Sequence, residues 1–149
     1  MILDSGNRRT FESGAVRDMP EGKGRCDLLP LPVLSRLFYM DYIIQDLSEF
    51  QQTNDVEHLL EALSSFARFA YEDSRETMVL EVSKHFEEGA KKYGEDNWQK
   101  GIPVNCYLDS ALRHYLKWRR GDKDEPHDRA FVWNIMCCIW EVTYHHDPN

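Results

Sequence analysis

Residues 125–144 read E-P-H-D-R-A-F-V-W-N-I-M-C-C-I-W-E-V-T-Y. Ala130, Phe131, Val132, Trp133, Ile135, Met136, Ile139, Trp140 and Val142 put apolar side chains nearly all round a helix. Such a helix belongs at the centre of a bundle or in a subunit interface. His127, Asn134 and Glu141 interrupt it at intervals of seven, which places them on one stripe. A buried polar group left without a partner costs about 1–3 kcal/mol, so the stripe predicts facing partners, a metal or water. Asp124 is the expected N-cap, with Pro126 tolerated in the first turn.

Working outward, the remaining periodic segments are also helical. Val33, Leu34, Leu37, Phe38, Ile44 and Leu47 predict one helix from Pro32 to about Phe50. Asn54 with Glu57 three residues on is a capping pattern, followed by Val56, Leu59, Leu60, Leu63, Phe66, Ala67 and Ala70 on one face. Asp73 with Glu76 marks a third start, and that helix ends at Gly94. A turn-rich connector with Asn97, Trp98, Gly101 and Pro103 leads to a fourth helix over about Asn105–Arg119. Residues 1–32 show neither helical nor strand periodicity and are punctuated by glycine and proline, so an irregular functional segment is expected there. The reading is all-α: about five helices in a single domain over residues 1–149.

Composition narrows the function. A net charge of −8 argues against wrapping a nucleic-acid polymer, which needs a basic surface. No run approaches the ~20 apolar residues of a membrane span, and no apolar signal core opens the chain, so no membrane partner and a cytoplasmic protein are expected. The four cysteines show no metal spacing and read as buried free thiols. The first 36 residues carry Arg8, Arg9, Arg17, Lys23, Arg25 and Arg36, a basic block in an acidic chain. It suits an anionic small ligand, or else a solvated arm paired with the acidic body.

Candidate ligating groups gather between Lys84 and Asn134. With Phe86 at the middle of the third helix's apolar face, Glu87 falls half-buried at its edge beside Gly89 and Ala90, and Glu88 points away. Glu87 is a metal ligand on this phase, or a border salt bridge. His114 lies among aromatics on the fourth helix, as a core histidine or a ligand. Asp122, Asp124, Glu125 and His127 crowd the start of the last helix, where acids also suit the macrodipole. Such carboxylates with Asn and His suit Mg²⁺ or Mn²⁺. Arg17, Lys23 and Arg25, or Lys91 and Lys92, could hold phosphates, and Gly22-Lys23-Gly24 lets backbone approach an anion. Trp98, Tyr93 or Tyr107 could stack on a base. His127-Asp128 and His146-Asp147 are H-D dipeptides, a weak pointer to an HD-type phosphohydrolase.

Three stretches carry a family resemblance. Residues 4–30, D-S-G-N-R-R-T-F-E-S-G-A-V-R-D-M-P-E-G-K-G-R-C-D-L-L-P, residues 85–103, H-F-E-E-G-A-K-K-Y-G-E-D-N-W-Q-K-G-I-P, and residues 108–114, L-D-S-A-L-R-H, resemble the phage dATP/dGTP diphosphohydrolases. These are linked to the MazG-like nucleotide pyrophosphohydrolases and include the MazZ-type enzymes. The resemblance spans residues 4–32 and 80–140. It implies a MazG-like helical enzyme, in the host cytoplasm if phage-encoded, that uses Mg²⁺ or Mn²⁺ to cleave a purine deoxynucleoside triphosphate to monophosphate and pyrophosphate. It also implies a homo-oligomer, a dimer or tetramer. Glu87, Glu88, Asp124, Glu125 and His127 would bind metal. Arg17, Lys23, Arg25, Lys92, Asn97, Trp98 and His114 would bind substrate, and Glu87 and Asn134 would serve catalysis. The family's E-x-x-E and E-x-x-D pair is missing here, and the D-E-P-H turn at residues 124–127 would replace it. The alternatives are an HD-type triphosphohydrolase, or a non-enzymatic helical regulator that binds a host protein.

Overall fold

The computed structural model describes residues 5–145. It is a helical bundle with one short hairpin: β1 (Arg8–Thr10), β2 (Val16–Asp18), α1 (Leu31–Leu37), α2 (Tyr42–Thr53), α3 (Val56–Ala70), α4 (Arg75–Tyr93), α5 (Val104–Arg120) and α6 (His127–Tyr144), with single 3₁₀ turns at Cys26–Leu28 and Asn97–Lys100. The all-α expectation holds, with two differences. The helix expected over Pro32–Phe50 is two helices. Met40 takes a positive φ of 70°, and the Asp41 carboxylate then caps α2 by accepting from the Ile43 and Ile44 amides. The irregular N-terminal segment contains an antiparallel hairpin, with Arg9 opposite Arg17.

Helix ends follow local chemistry. Asp55, not Asn54, caps α3, because Asn54 already closes α2 in the left-handed region. Ser74, one residue past the expected Asp73, caps α4 through the Thr77 amide. Asp124 does not cap α6, which opens after Pro126. Gly94 ends α4 as expected, with φ of 91°.

The last helix is central. α5 packs closely along α6, and α3 and α4 pack on it from other sides. Phe66, Phe131, Tyr115 and Trp118 interlock beneath it, with Phe66 and Phe131 ring centroids 4.6 Å apart. Truncating a fully buried phenylalanine such as Phe66 costs about 3–5 kcal/mol. α4 and α5 both lean on α6 and scarcely touch each other, so a groove opens between them. The hairpin and the Cys26–Leu28 turn cover that groove. No helix among the described residues is long and apolar enough to cross a membrane.

Candidate functional site

The covered groove is a cavity of about 540 Å³, a size that takes a small molecule. Its walls differ. The α4 wall presents His85, Phe86, Gly89, Ala90 and Tyr93, residues three and four apart. The opposite wall presents Asn105, Asp109, Arg113 and Lys117 of α5, four apart and so on one face. Trp133 and Asn134 of α6 form the floor, and Arg9, Arg17, Asp18, Lys23 and Arg25 of the N-terminal segment form the roof.

The roof is fastened by specific bonds. The Asn97 side chain accepts from the Val16 amide and donates to the Val16 carbonyl, both at 2.8 Å, and so acts as a short third strand. Both of its polar atoms are thereby used, although the residue also lines the cavity. The Asp109 carboxylate accepts from the Cys26 amide at 2.6 Å and pairs with Arg113, which donates to the Gly24 carbonyl.

The stripe on α6 is buried, and each member has a partner. Asn134 Oδ1 accepts from Arg17 Nη2 at 3.2 Å, and its Nδ2 donates to the Ala130 carbonyl. Glu141 accepts from the Ile102 amide and pairs with His145. His127 Nε2 sits 2.7 Å from Asp124 Oδ1, and its Nδ1 faces His114 Nδ1 at 2.9 Å.

His114, Glu125 and His127 bring one ligand atom each within 4.8 Å of the others, and Asp122, Asp124 and His127 do the same. His114 and Glu125 border the cavity. Burial, then the neighbouring His127, drives the His114 pKa well below the usual histidine range, so the ring is neutral and its nitrogens can ligate. Burial raises the Glu125 carboxyl. Two imidazoles and one carboxylate suit Mn²⁺, whereas Mg²⁺ takes oxygen ligands.

The cations differ in what they already hold. Lys23 pairs with Asp18 at 2.8 Å, and Arg25 with Asp27 at 2.7 Å. The bond to Arg25 holds the Asp27 carboxyl below its usual range. Arg9, Arg17 and Lys117 have no carboxylate partner among the described residues. Arg17 lies over Tyr107 and Trp133, 5.4 and 5.7 Å from their ring centroids, and its buried Nη1 is unpaired.

Of the residues expected from sequence, the cavity gathers Arg17, Lys23, Arg25, Asn97, Trp98, His114, Glu125 and Asn134. His127 and Asp124 stand behind His114 and Glu125. Glu87, Glu88 and Lys92 do not line the cavity. The expected phase of α4 is corrected. Its buried face centres on Met78, Val82 and His85, one residue before Phe86, which turns Glu87 out to solvent and leaves Glu88 half-buried. Glu88 instead accepts from Arg129. Neither acid joins the His114 cluster, so the expected five-member metal set is not assembled. His127 and Asp128 diverge, since Asp128 accepts from the Tyr71 hydroxyl. His146 and Asp147 lie outside the described residues. Sequence reading missed His85, Asp109, Arg113 and Lys117. The four-residue spacing of Asn105, Asp109, Arg113 and Lys117 was the available signal.

Fold and cavity define a helical protein with a cavity of small-molecule size roofed by its own N-terminal segment. The chain belongs to the dATP/dGTP diphosphohydrolase family: the model of that family's N-terminal region matches residues 67–147, more than half of the chain. No curated protein and no solved structure matches it.

Proposed function

We propose that the chain hydrolyses dGTP and dATP to the deoxynucleoside monophosphate and pyrophosphate in this cavity. Beyond family membership, one observation carries the reading. A cation-rich wall and a histidine–carboxylate cluster face a wall of aromatic and small residues within a single cavity. Lys23, Arg113 and Lys117 surround the cluster's side and would take the phosphates, and Arg25 would extend that face. Phe86, Gly89, Ala90 and Trp98 offer an apolar slot for the base, with aromatic faces for stacking.

His114, Glu125 and His127 would hold a divalent cation, with Mn²⁺ fitting these donors better than Mg²⁺. Such an ion, when bound, offsets phosphate charge and makes water a better nucleophile. The chain's own part is positional. Asp124 fixes the His127 ring through Nε2 and leaves Nδ1 facing His114. Arg17, reaching down from the roof, holds Asn134 on the floor beneath the ligand. Large apolar side chains are exposed on and around α1, among them Val33, Leu37, Tyr39 and Met40. They support a homo-oligomer, dimer or tetramer.

Incubation with dGTP and Mn²⁺ should release pyrophosphate and dGMP. Asp124→Asn should raise the Mn²⁺ concentration for half-maximal activity about 10- to 100-fold. Release of triphosphate instead would favour HD-type chemistry. The absence of any turnover, together with no melting shift on adding dGTP and Mn²⁺, would favour a binding protein.

A further inference from the structure

His85 is only 6 % exposed, yet it lines the cavity and neither ring nitrogen has a hydrogen bond among the described residues. Its ring leans on Trp133 with centroids 5.7 Å apart. Its neighbours on the α4 wall are Phe86, Gly89 and Ala90, none of which offers a side-chain partner. Buried polar groups are normally satisfied, so an unsatisfied one at a cavity points to a ligand. Burial also keeps the ring uncharged, with its pKa pushed down to about 4. A neutral imidazole presents one donor and one acceptor, and whatever bonds one nitrogen fixes the role of the other. His127 shows the fixed case, tied to Asp124 through Nε2. His85 has no such tie among the described residues.

We infer that His85 contacts the 6-substituent of the purine and, because no group among the described residues sets its tautomer, accepts adenine and guanine alike. The inference rests on the nucleotide reading above. Adenine carries an amino donor at position 6 and guanine a carbonyl acceptor at the same place. A side chain locked as donor or as acceptor would leave one of the two bases unpaired in a buried site and so reject it. The free imidazole bonds either by exchanging its tautomer. Its α4 neighbours Phe86, Gly89 and Ala90 add no second polar side chain on that wall, so the 6-position is read there for the presence of a polar group and not for its polarity.

The test compares kcat/KM for dATP, dGTP and the purine deoxynucleoside triphosphate with hydrogen at position 6. The wild-type protein should use the first two similarly and the third about tenfold less well. His85→Leu should lower the first two by about tenfold and leave the third nearly unchanged, so that the three converge. His85→Asn, whose amide can present either its oxygen or its nitrogen, should keep much of the discrimination. Melting temperatures of both variants report whether the bundle is intact. If His85→Leu depresses all three substrates equally, or none, the residue is structural and the inference falls. If the wild-type protein turns over none of the three with Mn²⁺, the nucleotide reading itself fails, and this inference with it.

Discussion

Arg17 leaves β2 and enters the bundle, where Nη2 donates to Ser110 Oγ at 2.8 Å and to Asn134 Oδ1 at 3.2 Å. Its guanidinium lies over the Tyr107 and Trp133 rings, which offset part of the cost of removing the charge from water. Asn134→Ala takes away one acceptor and leaves the guanidinium less satisfied, which should cost about 1–3 kcal/mol in urea unfolding. Arg17→Met should cost a similar amount. The double variant should cost clearly less than the sum, because each single change already breaks the same bond. Strict additivity would mean that the two side chains do not depend on each other. Sequence pointed to both residues for physical reasons: an asparagine in an apolar helix needs a partner, and an arginine among glycines suggests a ligand. It did not pair them, because 117 residues separate them. The Glu87 and Glu88 phases went astray because each residue turns the helix by about 100°, so a one-residue shift in the buried centre exchanges their environments.

At the scale of elements, the helices were legible and the hairpin was not. α3 announces itself through Leu59, Ala62, Leu63, Phe66 and Ala67, a stripe at helical spacing that is buried in the fold. β1 and β2 have three residues each, and their sequences, RRT and VRD, carry no alternating apolar pattern. They form a hairpin because tertiary contacts supply what the pattern lacks. Ala15 is sealed in the core, Ser13 donates to the Gly101 carbonyl, and Asn97 clamps Val16. Asn97→Asp keeps the acceptor for the Val16 amide but sets a carboxylate against the Val16 carbonyl. The hairpin should loosen at a cost of about 1–3 kcal/mol. Hydrogen exchange should then speed up at the Val16 amide, which loses its bond, and at the Phe11 amide, which donates to the Ala15 carbonyl across the hairpin, while the α5 and α6 amides stay protected. Unchanged exchange at Val16 would show that the hairpin stands without its clamp. The split between α1 and α2 was missed for a related reason: the apolar pattern runs on across it, and the break lies in the backbone at Met40 and the cap at Asp41.

Over the whole molecule, the charge is segregated. Residues 41–67 contain the acids Asp41, Asp46, Glu49, Asp55, Glu57 and Glu61 and no lysine or arginine, whereas the roof of the cavity is rich in arginine and lysine. This distribution was visible in sequence and suits an acidic body with a site that attracts anions. Its cost to stability falls on Asp46, between α2 and α3. Burial, then the Glu61 carboxylate beside it, raises the Asp46 pKa to about 6, with His58 3.8 Å away acting in the opposite sense and Glu49 adding to the rise. A carboxyl whose folded-state pKa lies above its unfolded value of 3.8 binds its proton more tightly in the folded protein. Its contribution to stability is therefore fully present below pH 3.8 and is lost as pH rises through about 6. Asp46→Asn removes the ionisation and keeps the shape. It should melt above the wild-type protein at pH 7.5, and the gap should narrow steadily on acidification towards pH 4, where the wild-type side chain is itself neutral. Differential scanning calorimetry at several pH values, with both proteins in the same salt, measures that gap directly. A gap that is constant across the range, or a variant that melts lower at pH 7.5, would show that Asp46 keeps an ordinary pKa and that the acidic face tolerates its full charge.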